Sequence, residues 1–292
     1  MTLVERLNAY EKLMRLDKPI GTLLLLWPAL WGLWFAAYGL PDLDLLLIFV
    51  MGTVLVRSAG CVVNDFADRD FDPHVARTRE RPLAARLIAP WEALALAGVL
   101  LLIAFVLVLF TNRLTILLSF VAVALAVIYP FLKRVFPLPQ AWLGIAFGFS
   151  IPMAYAAQYG SLIAVAWVLM IANMFWAIAY DTEYAMVDRD DDIRIGVKSS
   201  AILLGRHDVA GVMTSHAIFL VLMAVIGWWQ WLGVLYFVGV AAAAVLVYRQ
   251  YQWIRTRQRE ACFQAFLSNT WVGFAIFAGL AADLHIRLRF WS

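Results

Sequence analysis

Long apolar runs dominate this chain and decide which solvent it can fold in. A helix that crosses the hydrocarbon core of a bilayer needs about 20 mostly apolar residues, with about 17 as a lower limit. Nine runs of that size lie at approximately Ile20–Tyr38, Leu45–Val63, Ala93–Phe110, Leu114–Leu132, Ala141–Ala157, Leu162–Tyr180, Val209–Gly227, Leu232–Tyr248 and Phe266–His285. Ser268, Asn269 and Thr270 interrupt the ninth. Composition agrees: 64% of the 292 residues are hydrophobic and 15% charged, with a mean hydropathy of +0.81, against about 45–50% and about 25% in a soluble domain. A soluble two-domain enzyme, a disordered chain and a disulfide scaffold are excluded. The expected fold is all-α: one polytopic membrane domain over residues 1–292 with nine transmembrane helices. Cys61 and Cys262 are too few and too far apart for a disulfide framework or a paired metal knuckle.

Basic residues test this layout, because cytoplasmic loops are enriched in Lys and Arg. With the N-terminus inside, only Arg113, Arg287 and Arg289 of the 23 fall on the outer side, and Arg57 lies within the second run. The remaining nineteen are on the inner side. The net charge of +3 is therefore a topology marker, and no nucleic-acid partner is expected. Glu5, Glu11 and Asp17 precede the first full-length run, unlike a cleaved signal peptide. Leu3, Leu7, Tyr10 and Met14 share one helical face there, which predicts an amphipathic helix at the inner interface. Trp27, Trp31 and Trp34, and Trp228, Trp229 and Trp231, are expected as interfacial anchors or packing residues.

Half of the 20 acidic residues fall in two short windows. One runs from Asn64 to Asp72 at the inner end of the second span; the other runs from Asp181 to Asp192 at the inner end of the sixth. Asp68-Arg69-Asp70-Phe71-Asp72 aligns with Asp188-Arg189-Asp190-Asp191-Asp192 at a constant offset of 120, as do Leu83 with Leu203 and Arg86 with Arg206. These matches predict two parallel four-helix repeats, about 20–132 and 141–248, plus the ninth helix. The two windows would then face each other across a central axis. If each window continues its helix, Asn64, Asp68 and Asp72 form one stripe and Tyr184, Asp188 and Asp192 the other. Pro73 ends the first helix near Asp72. Like charges at that spacing repel unless a cation compensates them. Hard oxygen donors suit Mg2+, which keeps several waters and binds through a few carboxylates plus substrate phosphates. Asp65 precedes Asp72 by seven residues and Asp181 precedes Asp188 by seven, so either is expected to support the metal ligands from behind. Asp70, Asp190 and Asp191 lie off the stripes and are expected to be solvated.

A diphosphate also needs cationic donors, and Arg69, Arg77, Arg81, Lys133, Arg134 and Lys198 stand close to the windows. Arg57 is a separate case. An arginine within a span costs at least about 2.5–3.5 kcal/mol on insertion scales and usually faces a polar interior with a partner. It precedes Asn64 by seven residues, on the same face two turns deeper, where an anionic substrate group could meet it.

These residues resemble the UbiA superfamily of intramembrane prenyltransferases, whose signatures are NDxxDxxxD and DxxxD. Asn64-Asp65, Asp68 and Asp72 match the first; Asp188 and Asp192 match the second. Asp17-Lys18-Pro19-Ile20-Gly21, Ser58-Ala59-Gly60-Cys61-Val62-Val63, Arg77-Thr78, Arg81-Pro82-Leu83, Tyr184-Ala185-Met186-Val187 and Ile195-Gly196-Val197-Lys198-Ser199 resemble the branch that prenylates 4-hydroxybenzoate. The resemblance extends over essentially the whole chain. It implies nine helices in the inner membrane with the active site on the cytoplasmic side, and transfer of a polyprenyl chain from polyprenyl diphosphate to the 3-position of 4-hydroxybenzoate, a step in ubiquinone synthesis. In that scheme Asn64, Asp68, Asp72, Asp188 and Asp192 hold Mg2+ and are catalytic. Arg69, Arg77, Lys133, Arg134 and Lys198 bind the diphosphate, and Arg57, Asp65, Asp181 and Tyr184 support the site or touch substrate. The expected partners are the two substrates and the lipid bilayer, with no obligate protein partner.

Two other readings compete. A membrane prenyltransferase for homogentisate or a naphthoate would carry the same acidic motifs. An ion-coupled transporter would also have internal repeats, but is expected to keep its ionisable groups near the bilayer midplane rather than at one face.

Overall fold

A computed structural model describes residues 2–74, 78–132 and 134–291. The chain is all-helical among the described residues, in the order α1 (Leu3–Met14), α2 (Ile20–Ala37), α3 (Leu43–Asp68), α4 (Pro90–Val108), α5 (Arg113–Leu132), α6 (Pro139–Gly148), α7 (Ser150–Tyr159), α8 (Ala164–Ile195), α9 (Ser200–Leu204), α10 (Asp208–Trp229), α11 (Val234–Ile254) and α12 (Arg259–Trp291). Short 3-10 turns lie at Asp72–His74 and Gly205–His207. Eight helical segments are long and apolar enough to cross a membrane, so the protein is an integral membrane protein.

The fifth predicted span is where the helix count departs from expectation. It consists of two ten-residue helices, α6 and α7, each about 15 Å long and too short to cross alone. Only Phe149 separates them, and its backbone stays helical at φ −66 and ψ −16. Pro152 explains the break: it has no N–H to donate to the carbonyl four residues earlier, at Gly148.

The first acidic window also differs from expectation. α3 ends at Asp68 and not at Asp72, with Phe71 N–H closing a turn onto Asp68 O at 2.8 Å. Pro73 disfavours helical geometry at Asp72, and Asp72 instead opens the 3-10 turn. The second window behaves as predicted. α8 continues unbroken to Ile195, and Gly196 caps it in the left-handed region at φ 76.

α8 packs against α6, α10 and α12, while α2 packs against α7 and α12. Where these layers meet, the rings of Trp31, Trp176 and Phe219 form a buried triangle with centroids 5.2–5.9 Å apart. Trp31 is thus a packing residue, whereas Trp228, Trp229 and Trp231 are exposed. α1 begins with a capping box between Thr2 and Glu5. It buries Ala9 and Leu13 in a cluster with Val62 of α3 and leaves Leu3, Val4 and Leu7 exposed. Arg6 and the Tyr10 hydroxyl both donate to Glu92 of α4, at 2.6 and 2.7 Å.

Candidate active site

The two acidic windows, more than a hundred residues apart, line one cavity of about 180 Å³. Asn64 and Asp68 reach it from the end of α3, Asp72 from the 3-10 turn, and Asp181, Tyr184, Asp188 and Asp192 from one side of α8. Tyr129 of α5 and Gln140 of α6 complete the wall, together with Thr78, Arg81, Lys198 and Ser199. Asp68, Asp72 and Asp188 are buried. Asp70 and Asp190, off the stripes, are exposed, as their register predicts, whereas Asp191, expected to be solvated with them, is half-buried and pairs with Arg259.

The local bonds show how the first window is held. Asn64 Nδ2 donates to Asp68 Oδ2 at 3.2 Å. Asp65 does not line the cavity; its side chain is only 1% exposed and accepts from Arg15 and Arg81, each at 3.0 Å. Arg81 also donates to the Asp72 carboxylate, at 3.0 and 3.2 Å. Thr78 Oγ1 fixes the Asp72 carbonyl at 2.9 Å. Burial pushes the Asp72 carboxyl above the usual carboxylate range, against the opposing pull of Arg81. A divalent cation at this wall would favour the ionised form.

The expected cationic donors separate. Lys198 lines the cavity, with its Nζ bonded to Val135 O at 3.0 Å. Arg69 does not line it: it donates to Phe66 O at 2.8 Å, stacks over the Phe66 ring and pairs with exposed Asp70. Arg134 is also engaged elsewhere. Its Nη2 donates to Ala67 O at 2.6 Å, over the Phe71 ring, which satisfies a carbonyl in the last turn of α3. Arg77 and Lys133 lie outside the described residues. Arg57 is partly buried in α3 and does not line the cavity; its guanidinium contacts Cys61 and fills the space beside Gly21, with Nε unpartnered among the described residues.

The donor set fits a hard divalent cation. Among the described residues the wall carries the carboxylates of Asp68, Asp72, Asp181, Asp188 and Asp192 and the amides of Asn64 and Gln140, with no thiolate or imidazole. Among the described residues no three acidic, His or Cys side chains converge on one point. An ion held there would complete its shell with water and substrate phosphate oxygens.

Three residues of the site region carried no chemical expectation from sequence: Arg15, Tyr129 and Gln140. Arg15 is one of the nineteen inner basic residues, Tyr129 lies inside an apolar run, and Gln140 falls outside every run. Only their packing brings them to this end of the bundle.

Known proteins share both sequence and architecture with this chain. Residues 25–277 match the model of the UbiA prenyltransferase family. The 4-hydroxybenzoate octaprenyltransferase of Nitrosospira multiformis is 62% identical over 287 residues, covering 98% of this chain and 99% of its own length. That of Azoarcus sp. is 59% identical over 283 residues, covering 97% and 99%. Among solved structures, the apo UbiA homolog from Aeropyrum pernix superposes with a TM-score of 0.80 at 29% identity, over 90% of this chain and 97% of that one. A UbiA homolog from Archaeoglobus fulgidus bound to GPP and Mg2+ shares the fold, with a TM-score of 0.67 at 17% identity, over 92% of this chain and 99% of that one. With a family match across most of its length and relatives this similar end to end, the chain belongs to the UbiA prenyltransferase family.

Proposed function

We propose that this protein transfers a polyprenyl chain from polyprenyl diphosphate to the 3-position of 4-hydroxybenzoate, a step in ubiquinone synthesis. The observation that carries the reading is the meeting of both acidic windows around one cavity. The relatives named as 4-hydroxybenzoate octaprenyltransferases support the choice of acceptor.

In this reading Asn64, Asp68, Asp72, Asp188 and Asp192 hold Mg2+, which when bound supplies positive charge against the diphosphate leaving group. Lys198 at the cavity wall adds a cationic donor. Arg77 and Lys133 are assigned the same role on sequence grounds alone. Tyr129 and Tyr184 line the cavity, where their rings would stabilise an allylic cation as the carbon–oxygen bond breaks, and the surrounding apolar bundle keeps out water that would quench it. The ring carbon ortho to the acceptor hydroxyl forms the new bond, and its proton passes to a cavity carboxylate or to the departing diphosphate. Arg57, with a buried unpartnered Nε two turns deeper on α3, is assigned to the acceptor carboxylate.

The protein is further read as one domain over residues 1–292 in the inner membrane. It would have nine crossings if α6 and α7 together make one, arranged as two four-helix repeats plus α12. The N-terminus and the cavity would face the cytoplasm, on the side that the basic loops mark.

The test is product formation by purified protein in lipid, from radiolabelled 4-hydroxybenzoate and a polyprenyl diphosphate, with and without EDTA, repeated for Asp68→Ala and Asp188→Ala. Prenylated product that requires Mg2+ and both aspartates is expected. Activity on homogentisate or a naphthoate in its place would move the acceptor assignment. No diphosphate release from folded protein with any acceptor would overturn the enzyme reading.

A further inference from the structure

We infer that Arg15, at the end of the interfacial helix α1, is a positioning residue for the first acidic window and acts through Asp65 and Arg81 on Asp72. The inference rests on the metal site proposed above.

Asp72 needs such support because its backbone is not part of α3. The helix stops at Asp68, and Asp72 sits beyond it on a three-residue 3-10 turn. Its distance from Asp68 is therefore not set by a helical repeat. Asp65 is the rigid neighbour: it lies within α3 and is almost fully buried. Arg81 spans the gap, with Nη1 3.0 Å from Asp65 Oδ1 and 3.0 Å from Asp72 Oδ2.

Arg15 closes the other side of Asp65. Its Nη2 is 3.0 Å from each Asp65 oxygen, while Nη1 donates to Lys12 O at 2.9 Å. One guanidinium therefore ties the last turn of α1 to α3. Its backbone is left-handed, at φ 58 and ψ 31, where it caps α1. Glycine adopts that conformation most readily at helix ends, so an arginine here gains through what its side chain reaches. The four groups also balance in charge, two guanidiniums against two carboxylates, which a buried cluster requires. Without Arg15, Asp65 depends more heavily on Arg81, and Arg81 is drawn away from Asp72.

Electrostatics and positioning predict opposite signs. Removing a cation near a divalent metal strengthens metal binding if charge alone matters. Loosening the carboxylate weakens it, as losses of supporting contacts commonly do by 10–100-fold in metal affinity.

The experiment measures the rise in unfolding temperature of the full-length detergent-solubilised protein as Mg2+ is titrated at fixed inorganic pyrophosphate. It compares wild type, Arg15→Gln, Arg15→Lys, Asp65→Asn and Arg15→Gln/Asp65→Asn. Wild type is expected to be stabilised. Arg15→Gln and the charge-preserving Arg15→Lys should each need about tenfold more Mg2+, and the double variant should be no worse than Asp65→Asn. In turnover, the Mg2+ requirement should rise while KM for 4-hydroxybenzoate stays unchanged. Arg15 variants that lose metal-free stability but keep the wild-type Mg2+ midpoint, or bind Mg2+ more tightly, would overturn the relay and leave the metal reading standing. A wild type that Mg2+ and pyrophosphate fail to stabilise would overturn both.

Discussion

Asp188 and Asp190 are two residues apart on α8 and meet different surroundings. Asp188 is buried at the cavity wall, whereas Asp190 is exposed and pairs with exposed Arg259 at 3.2 Å. Asp188→Asn is expected to lower kcat on the order of 100-fold, the scale lost when one preorganised charge-stabilising group is removed. Asp190→Asn is expected to leave turnover and unfolding temperature nearly unchanged, since exposed ion pairs contribute about 0–1 kcal/mol. Steady-state kinetics on the two variants checks the contrast. Asn269 is a second residue whose neighbours redefine it. In sequence it interrupts an apolar run; in the fold it is fully buried, accepts from Trp176 Nε1 at 3.1 Å and donates to Glu183 Oε2 at 2.7 Å. Asn269→Leu would orphan both groups, each costing about 1–3 kcal/mol, and should appear as a lower unfolding temperature in detergent.

At the scale of elements, α11 and α12 form a close crossing on two glycines. A Cβ on Gly239 would stand 2.6 Å from Ala275 O, and one on Gly279 would stand 2.8 Å from Leu235 O. Small residues that let backbones approach are a common way for helices to associate in lipid, where apolar side chains gain little by leaving it. Gly239→Val is expected to force the helices apart at a cost of about 1–3 kcal/mol. Gly98, with nothing within 4 Å of its would-be Cβ, should tolerate alanine. Denaturation of both variants in mixed micelles tests the pair. α6 and α7 show an element-scale feature that hydropathy conceals. The residues are apolar enough for one span, but Pro152 removes the bond that would make it one helix.

For the molecule as a whole, the two acidic windows imply a single polar end of the bundle. In a background with Cys61 and Cys262 replaced, single cysteines at exposed Asp70 and Asp190 should react with a membrane-impermeant thiol reagent from the same side. A cysteine at exposed Trp231 should react from the opposite side. Labelling of Asp70 and Asp190 from opposite sides would refute the parallel arrangement of the two windows.

The membrane solvent, the all-helical class and the acidic windows were legible in the sequence because each depends on local chemistry. Twenty apolar residues can be counted without knowing their neighbours. Asp68 and Asp188 carry their motif in their own spacing, and the UbiA signatures are local strings of residues. α8 matched its predicted register through Asp192 because an unbroken helix propagates geometry along the chain.

What tertiary structure decided is what depends on residues far apart. It brought Asp72, carried past the end of α3 on a local turn, to the same cavity as the carboxylates of α8. It turned Arg134 toward Ala67 O and set Lys198 on the cavity wall, although in sequence the two look equivalent. It also joined Arg15 to Asp65 across fifty residues. A positive-inside loop supplies arginines for topological reasons, so the sequence could name candidates but not assign them. A guanidinium's role is set by which carbonyl or carboxylate lies within about 3 Å, and that is a property of packing.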